Sequence, residues 1–189
     1  MSKQIRVLAA FVIPHVCVLF FCLIMILSNL AIPFINGFAV DSTGRVYVGE
    51  MNSIRVMHDR KTLDSIWMGS STYTFTIDSN DHILAAYPTC YDLMDREGNI
   101  LKTIEDPHAT MYSQLQRNDH RFLTENGDRY KKTEILGWIR IVKNDSEVVY
   151  SISLFSYIVK FLMYLCGLSM FINGVWVIYH LRRINTRRI

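Results

Sequence analysis

No acidic residue precedes Asp41 or follows Glu147 in a chain of 189 residues that holds 17 of them. Ends without carboxylates lack the mixed-charge surface of a water-soluble domain, so one uniform globular fold is excluded. Cysteine is scarce where a small secreted domain would need it. Cys17, Cys22 and Cys166 lie in apolar stretches, which leaves Cys90 alone in the polar middle and excludes a disulfide framework there. Cys90 is a free thiol or one half of a bridge between chains. Enzyme signatures are missing as well: there is no Gly-x-Ser-x-Gly elbow, His-Glu-x-x-His helix, Walker loop or dinucleotide fingerprint. No catalytic residue is assigned, and no cofactor. A nucleic-acid footprint is also missing, because the middle of the chain carries 13 basic residues against the 17 acidic ones.

Charge of either sign is absent from Val7 to Ile32, a run of 26 residues. At about 1.5 Å per residue this exceeds the ~30 Å hydrocarbon core of a bilayer. A second apolar run, Leu154 to Leu181, carries only Lys160, whose ammonium is expected to snorkel toward the headgroups. Transmembrane helices are therefore expected at 7–32 and 154–181. Lys3 and Arg6 in tail 1–6, and Arg182, Arg183, Arg187 and Arg188 in tail 182–189, satisfy the positive-inside rule at both termini. The expectation is a cell-membrane protein with cytoplasmic tails and a domain at 36–152 outside the cytoplasm. A cleavable signal peptide is the alternative, but its apolar core is ordinarily ~7–15 residues long, followed by small residues at a cleavage site. The run here is longer, and Ser28-Asn29-Leu30-Ala31 has no A-x-A pattern.

The middle repeats itself. FAVDSTGRVYVGEMNSIRVMHDRKTLDSIW starts at Phe38 and FTIDSNDHILAAYPTCYDLMDREGNILKTI at Phe75. Asp41 and Asp78, Val46 and Ile83, and Met57 and Met94 are each 37 residues apart, while Ile66 and Ile104 are separated by 38 through one inserted residue in a late turn. A third, degenerate unit repeats Asn80-Asp81-His82 as Asn118-Asp119-His120, then carries a charged stretch, Thr124 to Glu134, that reads as an insertion. The units run over about 37–72, 73–110 and 111–152. Each alternates β-branched or aromatic with polar residues between turn residues, which predicts a small antiparallel meander. A lone meander cannot bury its apolar face, so such units pack side by side as propeller blades do. The fold class expected is two transmembrane helices flanking an all-β, propeller-like repeat domain.

Val40-Asp41-Ser42-Thr43-Gly44-Arg45-Val46-Tyr47-Val48, then Asn52-Ser53-Ile54-Arg55-Val56, then Asp59 to Leu63, resembles an NHL-type β-propeller repeat. Unit two keeps the Asp-Ser start and the Asp95 to Asn99 turn, but has Asp81 in place of the turn glycine and lacks Asn-x-x-Arg. Propellers of this family are closed rings of about six blades, and closure is what protects sheet edges. The resemblance implies that three units are completed by a second copy of the chain or by another protein. The expected partners are the lipid bilayer and either a homo-oligomer or a larger membrane protein.

Four histidines, His58, His82, His108 and His120, lie in the middle region. His82 and His120 occupy equivalent turns beside Asp81 and Asp119, making them candidate ligands for Zn or Mn. The alternative is that Asn-Asp-His is ordinary turn chemistry. Aromatics such as Tyr47, Trp67, Tyr73, Phe75, Tyr87, Tyr91, Phe122 and Trp138 are assigned mostly to blade packing. Lys131 and Lys132, in the supposed insertion, are candidate partner contacts. Within the second span, Gly167 and Gly174 share a face and Asn173 is polar at midspan, so these three are candidates for helix–helix contact. Asn144-Asp145-Ser146 matches a glycosylation sequon and is otherwise a turn. The functional expectation is a non-catalytic membrane-anchored binding, sensor or scaffold subunit. The alternatives are a membrane-tethered, metal-assisted enzyme or an accessory subunit of a transporter or channel.

Overall fold

The computed structural model describes the backbone of residues 3–28, 30–117, 121–124 and 127–186. It divides into a helical unit, Met1–Pro33 with Ser153–Ile189, and a β unit, Phe34–Ile152. Three helices are present among the described residues: α1 (Lys3–Leu27), α2 (Thr110–Arg117) and α3 (Leu154–Thr186).

In the helical unit, α1 and α3 pack together, with Cys22, Ala31 and Val159 buried and Val18, Met25, Ile26, Leu162 and Met163 around them. Ser156 Oγ accepts from the Ile32 amide at 2.9 Å, and His15 Nε2 lies 2.7 Å from Ser169 Oγ. One segment of α3, Leu154–Trp176, has 23 residues at a mean hydropathy of 1.7 and is long and apolar enough to cross a membrane. Two such spans were expected. The apolar stretch found in α1, Val12–Leu27, is shorter, because the helix ends at Leu27 and the side chains of residues 7–11 lie outside the described ones. Lys160 departs from the sequence expectation as well: it is 2% exposed and engaged by neighbouring groups instead of reaching outward. An ammonium is held at such burial only where it has partners.

Among the described residues the β unit contains three separate four-stranded antiparallel sheets, each a meander in chain order. Blade 1 comprises β1 (Gly37–Val40), β2 (Val46–Gly49), β3 (Ser53–His58) and β4 (Lys61–Trp67). Blade 2 comprises β5 (Thr74–Ile77), β6 (Ile83–Ala86), β7 (Cys90–Met94) and β8 (Ile100–Glu105), and blade 3 comprises β9 (Arg121–Leu123), β10 (Arg129–Ile135), β11 (Trp138–Lys143) and β12 (Glu147–Ser151). Alternation drives the strands: in β3, Ile54 and Val56 are buried while Arg55 between them is not. The repeat extends to irregularities, since β-bulges occur at the equivalent Val56/Met57 and Leu93/Met94. The inserted residue is visible too. Blade 1 turns from β3 to β4 through Asp59 and Arg60 alone, whereas blade 2 turns between Asp95 and Asn99 through three residues.

Thr124 to Glu134 is no insertion. It forms the β9–β10 turn and then β10, with Lys131 opposite Val142 and Lys132 opposite Ile141 in regular register. Its density of charge hid the strand.

The blades share a core but do not follow chain order in space. Blade 1 packs against blade 2 through Tyr47, Ile54, Ile66, Phe75, Ile83 and their neighbours. It also touches blade 3: Phe38 and Phe122 meet edge-on with centroids 5.0 Å apart, and Arg60 reaches Glu147 at 3.4 Å. Helix α2 packs on β5 and β6, burying Leu115. Because each blade has an even number of antiparallel strands, the chain enters and leaves the β unit at one end. Six turns lie at the other, distal end.

Candidate functional site

Three of the distal turns are built by one device. Asp41, 1% exposed, accepts from the amides of Thr43 (3.0 Å) and Arg45 (2.9 Å), from the Thr43 hydroxyl (2.7 Å) and from Tyr47 Oη (3.3 Å). Asp78 does the same for Asn80 and His82, and Asp95 for Glu97 and Asn99. In blade 3, Thr124 takes this position and is bonded across the turn to Asp128. This is why aspartate recurs at the blade starts: a carboxylate closes a tight turn by accepting amides two and four residues on.

The fourth turn position needs a left-handed backbone. Gly44 (φ 81°) and Gly127 (φ 82°) supply it, and Asp81 adopts it at φ 61°, a conformation aspartate tolerates better than most residues. Asp81 gains a role from its side chain. It accepts from Ser42 of blade 1 through the amide (2.7 Å) and the hydroxyl (2.5 Å), and it pairs with Arg96. Burial acts to raise its pKa, but the hydrogen bonds from Ser42 and Arg96 outweigh this and hold the carboxyl below its ordinary range. The substitution that weakens the repeat thus clamps two blades together.

Between blades 1 and 3 the distal end opens into a cleft of about 140 Å³, bordered by His58 and Asp59 on one side and by Asp128, Tyr130, Lys143 and Glu147 on the other. Its floor is fixed electrostatically. Lys143 Nζ lies 2.7 Å from Asp128 Oδ2 and 5.7 Å from the centre of the Tyr130 ring, and Asn144 Nδ2 donates to Asp128 Oδ1 at 2.8 Å. Hydrogen bonds from Lys143 and Asn144 hold the Asp128 carboxyl low, the same contact with Asp128 raises Lys143, and burial raises the Tyr130 phenol. All three keep their neutral-pH protonation states. The rim is more open: His58 Nε2 stands 3.7 Å from Asp59 Oδ2. Below the ~300–1,000 Å³ of a drug-sized pocket, the cleft suits a small polar solute or the tip of a partner's side chain.

The candidates read from the sequence are dispersed. His82 Nδ1 is 3.2 Å from Asp78 Oδ2, a contact inside its own turn, and His120 lies outside the described residues. Among the described residues no three His, Cys, Asp or Glu side chains are grouped as metal ligands. Lys131 pairs with Asp145 on blade 3. Asn173 Nδ2 is 3.5 Å from Ser169 Oγ on its own helix, and open space surrounds the Cα positions of Gly167 and Gly174, so neither lies at a close helix crossing within the chain. Sequence reading missed that His58 and Asp59 share a cleft with Glu147, because nothing local announces that blade 3 adjoins blade 1.

No protein-family model matches the chain, and no curated protein matches it in sequence. Among solved structures it is similar to a Bacteroides caccae protein of unknown function (TM-score 0.32, 12% identity, covering 64% of this chain and 46% of that one). It is also similar to a catalytically inactive virginiamycin B lyase from Staphylococcus aureus solved with quinupristin (TM-score 0.34, 13% identity, covering 64% and 41%). The chain spans less than half the length of either.

Proposed function

We propose that this chain is a non-catalytic, membrane-anchored binding, sensor or scaffold subunit. In this reading α1 and α3 hold it in a cell membrane with both tails cytoplasmic, and a propeller-like domain of NHL type offers its distal end to a protein or small polar ligand. Leu154–Trp176 carries the proposal: only 22% of this apolar segment is buried. Each Å² of apolar surface left in water costs about 25 cal/mol, a cost that lipid removes. The absence of acidic residues from both ends, with basic residues in both tails, supports the orientation.

A binding role is supported by the distal end, where the turn closed by Asp41 and the Asp128–Lys143 pair border a polar cleft. Lys131, paired with Asp145 of the distal turn 144–146, extends the same polar surface, while its neighbour Lys132 faces the other side of β10. The open faces at Gly167 and Gly174 favour a helix partner from another molecule, in line with a homo-oligomer or a larger membrane-protein partner. The test is alkaline extraction of membranes from expressing cells. Retention of the chain in the pellet is expected, and release into the supernatant would overturn the anchor.

A further inference from the structure

The two ends of the β unit differ in chemistry. Every distal turn (41–45, 59–60, 78–82, 95–99, 124–128, 144–146) contains an acidic residue, whereas at the entry end, apart from the connection that holds α2, the loops 68–73, 87–89 and 136–137 carry no charged residue and the loop 50–52 carries only the buried Glu50. Exposed apolar side chains lie toward both ends of the β unit, with Leu63, Ile100, Leu101 and Leu123 nearer the distal turns and four at the entry end. Phe34 precedes β1 and is 47% exposed, Trp67 closes β4 at 68%, and the β10–β11 hairpin ends in Ile135 at 65% and Leu136 at 87%.

The hairpin tip is unusual twice over. Its two-residue turn is Leu136-Gly137, both with left-handed backbone (φ 49° and 86°). A left-handed leucine costs roughly 1–2 kcal/mol, and asparagine, aspartate or glycine would fit at less strain. Strain combined with near-complete exposure of an apolar side chain has no return within the fold. Behind the tip, Trp138 pairs with Ile135 across the strands, donates from Nε1 to Ser151 Oγ at 2.6 Å, and carries the Arg140 guanidinium 5.3 Å from its ring centre. An apolar tip backed by tryptophan and arginine suits a bilayer interface, where aliphatic groups enter the acyl boundary, the indole sits at headgroup level and the guanidinium meets phosphate.

We infer that the entry end of the β unit is a membrane-interface surface, with the Ile135–Trp138 hairpin dipping into the headgroup layer. The occupant is lipid, because the chain enters and leaves the domain through this end, and Leu154–Trp176 follows β12 within a few residues. The inference rests on the membrane-anchored reading above, and its test separates the two.

The full chain is reconstituted into phosphatidylcholine vesicles containing phosphatidylglycerol, with lipids brominated either near the headgroup or deep in the acyl chain. One variant, Trp67→Phe with Trp176→Phe, leaves Trp138 as the sole tryptophan. A second, Trp67→Phe with Trp138→Phe, leaves Trp176. Headgroup-proximal bromines are expected to quench Trp138, and adding Leu136→Asp is expected to cut that quenching at least about twofold. Quenching of Trp176 without quenching of Trp138 overturns the interfacial hairpin while leaving the anchor intact. If bromines at neither depth quench either residue, both readings fall.

Discussion

Asp81 and Glu50 show how two buried carboxylates of one domain come to oppose each other in acid. Asp81 has its pKa lowered by the groups it clamps, so its contribution is present above the ordinary carboxylate range of about 4 and is lost as pH falls through its folded value. Glu50, 5% exposed, has its pKa raised by burial despite its two-point contact with Arg55 at 2.8 and 3.0 Å and a hydrogen bond from Tyr150. Its contribution has the reverse sign: it is present at low pH and is lost as pH rises through the raised value. Thermal unfolding of the detergent-solubilised chain, followed by circular dichroism from neutral pH to below pH 4, is therefore expected to show a flatter acid decline for Asp81→Asn. A steeper decline than wild type is expected for Glu50→Gln. Equal slopes in all three proteins would contradict this assignment. The sequence marked Asp81 only as a lapse in the repeat, because the Ser42 and Arg96 that reward it lie in other turns.

At the scale of the element, the blades fit by allowing backbone to approach side chain. A Cβ at Gly98 would stand 2.4 Å from Ile66 Cγ2 on β4, at a residue whose φ is already 88°. Gly69 has φ 66° but nothing within 4 Å of the same position. Gly98→Ala is expected to lower stability by about 2–4 kcal/mol, the left-handed cost plus overpacking. Gly69→Ala should lower it by only about 1 kcal/mol, and the difference in unfolding midpoints measures the contact between blades 1 and 2. The strands of blades 1 and 2 were legible from their 37-residue offset and period-2 alternation. Blade 3 was less so, since its Lys131, Lys132 and Glu134 put charge on a paired strand and made β10 look like a loop.

For the whole molecule, the arrangement of blades bears directly on assembly. Blade 1 has a neighbour on both sides, and α2 occupies part of blade 2 over β5 and β6. A ring completed by a second copy would have to use the remaining surfaces of blades 2 and 3. Native mass spectrometry of the detergent-solubilised chain is expected to give two copies, consistent also with the open glycine positions of α3. A monomer would sink the two-copy ring and leave three blades sharing one core as the complete β unit.

By itself the sequence determined the segregation of charge, the apolar ends, the number of β units and the turns that begin them. Each follows from local periodicity or from side-chain bonds spanning a few residues. Only tertiary structure decided that blade 1 lies between the other two, that His58 and Asp59 share a cleft with Glu147, and that Leu136, Trp67 and Phe34 lie at one end. Those relations depend on the packing of side chains between sheets and on the parity of antiparallel strands, which join residues far apart in the chain.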